Sequence, residues 1–154
     1  MTAVATRKPA TRQSFGMSFT VNQAPEEVFE AVTNVRGWWS SDLVGKSARQ
    51  GDVFTFQYAD IHKSTQKLVE VVPGRKVVWL VQDASLNFTK DKGEWKGTKV
   101  VFEIVPKGRK TELRFTHDGL TPALECFDAC SGGWTYYVGE SLRELITTGK
   151  GRPE

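Results

Sequence analysis

The chain has 154 residues, the span of one ordinary domain, and a chain of this length buries roughly 70% of the surface it exposes when unfolded. A hydrophobic content of 39%, a charged content of 25%, five Trp and nine Phe exclude a disordered, collagen-like or coiled-coil chain. The formal charge of +3 resides at the ends: without residues 1–13 and 150–154 there remain 16 basic and 17 acidic residues, a net −1, so no basic nucleic-acid face is expected within the fold.

Residues 1–14, MTAVATRKPATRQS, combine Thr, Ala and Arg with no acid and read as a flexible tail. They lack the apolar block of a secretory signal, and no apolar run approaches the roughly 20 residues of a membrane span, so a cytoplasmic location without membrane insertion is expected. From Ser14 to Val21, Phe15, Met17 and Phe19 alternate on one side of a strand. Pro25 in the first turn, Glu26 and Glu27 at the positive dipole end, and the stripe Val28, Phe29, Val32 predict a short helix over 25–33. The segment from Val35 to Ser40, with Trp38 and Trp39, reads as a second helical turn lying against the fold.

Period-two alternation follows. Phe54, Phe56 and Tyr58 face one way, and Val53, Thr55 and Gln57 the other. Two strands are predicted over 65–72 and 76–82, joined at Pro73-Gly74. A polar hairpin loop, Ser85 to Lys96, holds Phe88 and Trp95, whose commoner role is to anchor the loop onto its own sheet. Val100, Phe102 and Ile104 then oppose Val101, Glu103 and Val105, while Leu113 and Phe115 oppose Glu112 and Arg114.

After Thr121-Pro122 the period returns to 3.6. Cys130, Trp134, Val138, Ser141 and Leu145 fall near Phe127 on one helical face, with Tyr137 and Leu142 at its flanks, which predicts one long helix from about 123 to 148. Gly132-Gly133 within it calls for a close backbone approach or a bend. These elements compose an α+β helix-grip: a curved antiparallel sheet of about six strands around a C-terminal helix roughly 37 Å long, in one domain over 15–153. Where sheet and helix part, a ligand cavity can open.

The order of elements resembles the START-like (SRPBCC) superfamily, and the local sequences resemble its branch grouped with the activator of the heat-shock protein 90 ATPase. The matching residues are Ala24-Pro25-Glu26-Glu27-Val28-Phe29, Trp38-Trp39, Leu68-Val69-Glu70-Val71-Val72-Pro73 before Trp79, and Glu94-Trp95-Lys96-Gly97-Thr98. Gly133-Trp134, Tyr136-Tyr137, Ser141-Leu142-Arg143 and Thr148-Gly149-Lys150-Gly151-Arg152-Pro153 complete them. The resemblance implies a cavity between sheet and long helix, of the kind found in lipid carriers, hormone receptors, polyketide cyclases and pollen-allergen-type binders. It also brings in a chaperone partner, bound through a surface.

Chemistry-bearing residues are few. His117, in phase with Leu113 and Phe115, could reach a cavity mouth as an acid–base group, but a His beside the Asp118-Gly119 turn is more commonly solvated or a local hydrogen-bond partner. His62, after Asp60, is expected to be exposed. Two His 55 residues apart, without spaced acids, give no metal site. Cys126 and Cys130 lie at i, i+4 and are expected to be small semi-buried thiols, with a redox pair as the alternative. Nucleophile-elbow, phosphate-loop and dinucleotide motifs are absent, so no cofactor is expected.

The first expectation is therefore a binder of a small hydrophobic or aromatic molecule that does not transform it. Its lining would comprise Phe54, Phe56, Tyr58, Trp79, Phe102, Trp134, Tyr137 and Ser141, with Trp38 and Trp39 near an opening. The second is a cyclase or hydrolase using His117 and Tyr137. The third is a chaperone-interacting module using surface Lys and the 85–96 loop. Monomer and homodimer both remain open.

Overall fold

The computed structural model describes residues 14–153, so all but Ser14 of the expected tail lies outside the described residues. The chain runs β1 (Phe15–Val21), α1 (Pro25–Thr33), a 3-10 turn (Val35–Gly37), β2 (Val44–Gly45), β3 (Val53–Tyr58) and β4 (His62–Val72). It continues through β5 (Lys76–Leu86), β6 (Lys99–Lys107), β7 (Lys110–Asp118), α2 (Phe127–Tyr136), a π-helical turn (Tyr137–Leu142) and α3 (Arg143–Thr148). All neighbouring strands are antiparallel, in the order β1-β7-β6-β5-β4-β3-β2. This is the expected helix-grip.

The sheet has seven strands rather than about six. The additional one, β2, pairs two residues with Phe54 and Thr55 and is too short to carry a period. Gly45 makes it possible: its φ is +108°, and a Cβ there would stand 2.2 Å from the Val53 carbonyl oxygen.

Alternation places Phe54, Phe56, Val100, Phe102, Ile104, Leu113, Phe115 and His117 on the buried face. The helices cover that face. Val28, Ala31 and Val32 bury the inner side of α1, whose first turn is closed by Glu27, its carboxylate accepting from the Ala24 N–H at 3.0 Å. Trp38, Trp39 and Trp79 form a near-parallel stack, with centroids 6.1 Å apart for Trp38–Trp79 and 5.7 Å for Trp39–Trp79. Such pairs add about 0.5–1.5 kcal/mol each beyond the area they bury.

Strands β4 and β5 each span 11 residues and begin or end beyond the expected 65–72 and 76–82. Only Lys76–Leu80 of β5 pairs with β6, so the end of the sheet formed by β3 and the far halves of β4 and β5 projects past β6. Register shifts at Thr65/Gln66 and Leu68/Glu70 bend this projecting hairpin. The connection to β6 folds back on it, with Val81 N donating to Thr98 O and Gly97 N to Val81 O.

The C-terminal helix starts at Phe127, later than the expected 123. Its departure from α geometry lies in the π turn, not at Gly132-Gly133. There Gly139 meets β1 closely: a Cβ would sit 2.9 Å from Met17 Cε. The extra residue of the π turn rotates the buried face, so Leu142 and Ile146 are buried while Leu145 is only partly so. Ser141 Oγ donates to the Trp38 carbonyl and accepts from Arg152 N, both at 2.7 Å. This ties the chain after α3 to the tryptophan turn. Among the described residues, no helix is long and apolar enough to cross a membrane.

Candidate functional site

The projecting β3–β4–β5 end, the loop after β5 and α2 enclose a pocket of about 230 Å³. Phe56 and Tyr58 of β3, Ile61 of the following turn and His62 of β4 form one wall. Ala129, Cys130, Gly133, Trp134 and Tyr137 of the helix form the opposite wall; Trp39 lies at the base, and Phe88 and Trp95 of the loop close the side. Gly133 contributes open space, since a Cβ there would touch nothing within 4 Å. Trp95 is buried and stacks on Trp134 at 5.6 Å, whereas Tyr58, Ile61 and Phe88 are exposed and rim the mouth. A wider groove, about 760 Å³, runs between α1 and the 46–52 turn and is polar and charged. The Arg36 guanidinium in it is committed to the carbonyls of Leu43 and Gly45.

Two imidazoles lie at the aromatic pocket. His117 is fully buried directly behind it, packed edge-on to Trp95 at 4.7 Å. The Trp134 indole N–H donates to His117 Nδ1 at 2.9 Å. Thr98 Oγ1, already donating to the Trp95 carbonyl, accepts from His117 Nε2 at 2.8 Å. Both ring nitrogens are thus committed, in the neutral Nε2–H form. Burial, and secondarily the neighbouring His62, hold its pKa down at about 3. The expectation of a solvated or turn-bound His117 is corrected: the strand alternation carries it inward.

His62 likewise is not exposed as expected. Because β4 begins at residue 62, the phase of Ser64, Gln66 and Leu68 carries His62 to the inner face, edge-on to Phe56 at 5.2 Å and Trp95 at 4.5 Å. Burial lowers its pKa to about 4.

Cys126 and Cys130 are both free and buried. Trp95 Nε1 donates to Cys130 Sγ at 3.3 Å. The hydrogen bond between the thiols lowers the Cys130 pKa and, with burial, raises that of Cys126. Among the described residues, no cluster of three His, Cys, Asp or Glu is arranged to hold a metal ion.

Residues 22–147 match the family model described as Activator of Hsp90 ATPase homolog 1-like protein. The chain belongs to this family. No curated protein matches its sequence. Among solved structures, the Aha1 dimer from Colwellia psychrerythraea has a TM-score of 0.70 at 22% identity, covering 90% of this chain and 98% of that one. An HSP90 activator from Plasmodium falciparum has a TM-score of 0.60 at 19% identity, over 86% and 93% of the two chains. A protein of the dynemicin biosynthetic locus has a TM-score of 0.64 at 18% identity, covering 90% of this chain and 49% of that one.

Within this Hsp90-activator-like frame, the expected lining residues separate into two groups. Trp39, Phe56, Tyr58, Trp134 and Tyr137 line the pocket. Trp38, Phe54, Trp79 and Phe102 lie one layer deeper in the core, and Ser141 is bonded to backbone on both sides. Lining that sequence reasoning missed comprises Ile61, His62, Phe88, Trp95, Ala129, Cys130 and Gly133. The available signal was the pair Phe88 and Trp95, aromatics in an otherwise polar loop.

Proposed function

We propose that this member of the family binds a small apolar aromatic molecule in the pocket between the β3–β4–β5 end and α2, without transforming it. The observation that carries this is a wall of aromatic rings containing no charged side chain, around a cavity of about 230 Å³. His117, the acid–base candidate, has both nitrogens committed inside the core, which weighs against catalysis through it. Thermal unfolding against a panel of aromatics tests the proposal: a ligand at 100 times its Kd adds about 2.7 kcal/mol, raising the midpoint by roughly 5–11 °C. Bound ligand should also protect Cys130 from a maleimide. No shift and no protection would overturn it.

A second reading is favoured by the relatives more than the first: a family named for Hsp90 ATPase activation, and a similar fold in an HSP90 activator. In this reading surface Lys and the 85–96 loop engage an Hsp90-type chaperone. Co-migration at micromolar concentration with stimulation of the chaperone's ATPase supports it; absence of both refutes it. The Colwellia relative is a dimer, and light scattering decides between monomer and homodimer here.

A further inference from the structure

We propose that His62 is the polar anchor of the pocket, donating a hydrogen bond from Nδ1–H to a carbonyl-type acceptor on a neutral aromatic ligand of one or two fused rings. This rests on the ligand-binding reading above and names its ligand class.

The hydrogen-bond pattern of β4 fixes which ring nitrogen carries the proton. Gln66 Nε2 donates to Ser64 Oγ at 2.6 Å, and Ser64 Oγ lies 2.9 Å from His62 Nε2. The orientation of the Gln66 amide follows from its other side. Gln66 Oε1 and Trp79 Nε1 are both buried without partners. Gln66 pairs with Val81 and Leu68 with Trp79, so Gln66 and Trp79 are diagonal neighbours on the inner face. As oriented, an acceptor stands near a donor, and a water between them would satisfy both. Turned over, the amide would leave two buried donors there and no acceptor. Gln66 therefore donates to Ser64. Among the described residues the Ser64 hydroxyl has no acceptor other than His62 Nε2, so it donates its one hydrogen there, and the proton on His62 sits at Nδ1. Among the described residues Nδ1 has no hydrogen-bond partner, and it is not one of the sealed, unpartnered atoms. The open side of His62 is the pocket.

Several other polar groups of the lining are already engaged or lie at its edge: the Trp134 and Trp95 indole N–H groups donate to His117 and Cys130. Cys130 sulfur is engaged by Trp95 and Cys126, and Tyr58 stands at the exposed rim. With no ammonium, guanidinium or carboxylate in the lining, a charged ligand would lose its hydration without a counter-charge. The volume of about 230 Å³ is below the roughly 300–1,000 Å³ of drug-sized sites, which fits a small ring system rather than a sterol or long acyl chain. Burial keeps the ring neutral at physiological pH, so it presents one donor and no charge.

The test uses the full chain with 2-acetylnaphthalene, 2-ethylnaphthalene and 2-naphthoate, titrated by calorimetry into wild type, His62→Phe and Ser64→Ala. The acetyl-to-ethyl affinity ratio should be roughly 2- to 12-fold higher in wild type than in His62→Phe, the range of one net hydrogen bond. Ser64→Ala, which keeps the ring but removes what fixes its tautomer, should fall between them, and naphthoate should bind more weakly than the ketone. A long-range ¹H–¹⁵N spectrum should show the Nδ1–H form of His62. Equal ratios in wild type and His62→Phe, tightest binding of naphthoate, or an Nε2–H imidazole would each overturn the anchor. If His62→Phe does not fold, Ser64→Ala and the spectrum decide. Failure of all three probes to bind would instead overturn the ligand-binding reading itself.

Discussion

Replacing Gly133 with Leu should make the protein more stable and less able to bind. Gly133 lies in α2 with nothing within 4 Å of the Cβ position, and its open side is the pocket. Removing a glycine from a helix interior stabilises by about 0.8 kcal/mol. Burying a leucine side chain adds about 1.5–3 kcal/mol when burial is complete; with one side open toward the mouth, about half of that is expected. The sum is about 2 kcal/mol, or a rise of roughly 4–8 °C in Tm. One leucine occupies space on the order of the 150 Å³ cavity that its deletion can leave, more than half of the volume of about 230 Å³ found here. Affinity for a naphthalene probe should fall at least about tenfold. Gly132→Ala is the control, since Gly132 does not line this pocket: it should gain about 1 kcal/mol and bind normally. Scanning calorimetry and titration of both variants decide the matter. A Gly133→Leu protein that is destabilised, or that retains wild-type affinity, would refute the reasoning.

Stability should depend on pH through the two inward-facing histidines, His117 buried and His62 half-buried. Both bind a proton near pH 6.5 when unfolded, but only at about 4 (His62) and about 3 (His117) when folded. Their contribution is therefore complete above pH 6.5 and declines as pH falls toward 4, with a limiting slope of about 1.4 kcal/mol per pH unit for each; urea midpoints across that window should show it, and His62→Phe should halve the part due to the pair. Ser141→Ala should cost about 2 kcal/mol in urea unfolding, since it strands the Trp38 carbonyl and Arg152 N–H, while probe affinity is unchanged. Ala59 holds a left-handed φ of 48° in the turn between β3 and β4; Ala59→Gly should stabilise by about 0.5–1 kcal/mol, and no rise in Tm would show that the strain is absorbed elsewhere.

The elements with a sustained period were legible in the sequence. Strands β3, β6 and β7 put the expected residues inward, and α1 has the expected bounds. What escaped was set by contacts distant along the chain. β2 exists because Gly45 can approach Val53, not because of a local pattern. Polar inward residues, Ser64 and Gln66, interrupt the apolar alternation of β4 and hide its extent, so nothing local contradicts the turn position after Asp60 that makes His62 look exposed. The π turn arises where Gly139 meets Met17 and Ser141 finds the Trp38 carbonyl, partners far away in sequence. For the pocket, aromatic content announced its walls, but core and lining are chemically alike: Trp79 and Trp134 differ only in which lies beneath the gap.

All five tryptophans are buried, and ring contacts join them without a break, Trp38 to Trp79, Trp79 to Trp39, Trp39 to Trp134 and Trp134 to Trp95. Light absorbed by any of them can therefore migrate along the chain of indoles to the three that border the pocket. The protein carries its own optical reporter: a guest seated against Trp39, Trp95 or Trp134 alters the emission of the whole set, and near-ultraviolet dichroism of the coupled rings registers its arrival without any added dye.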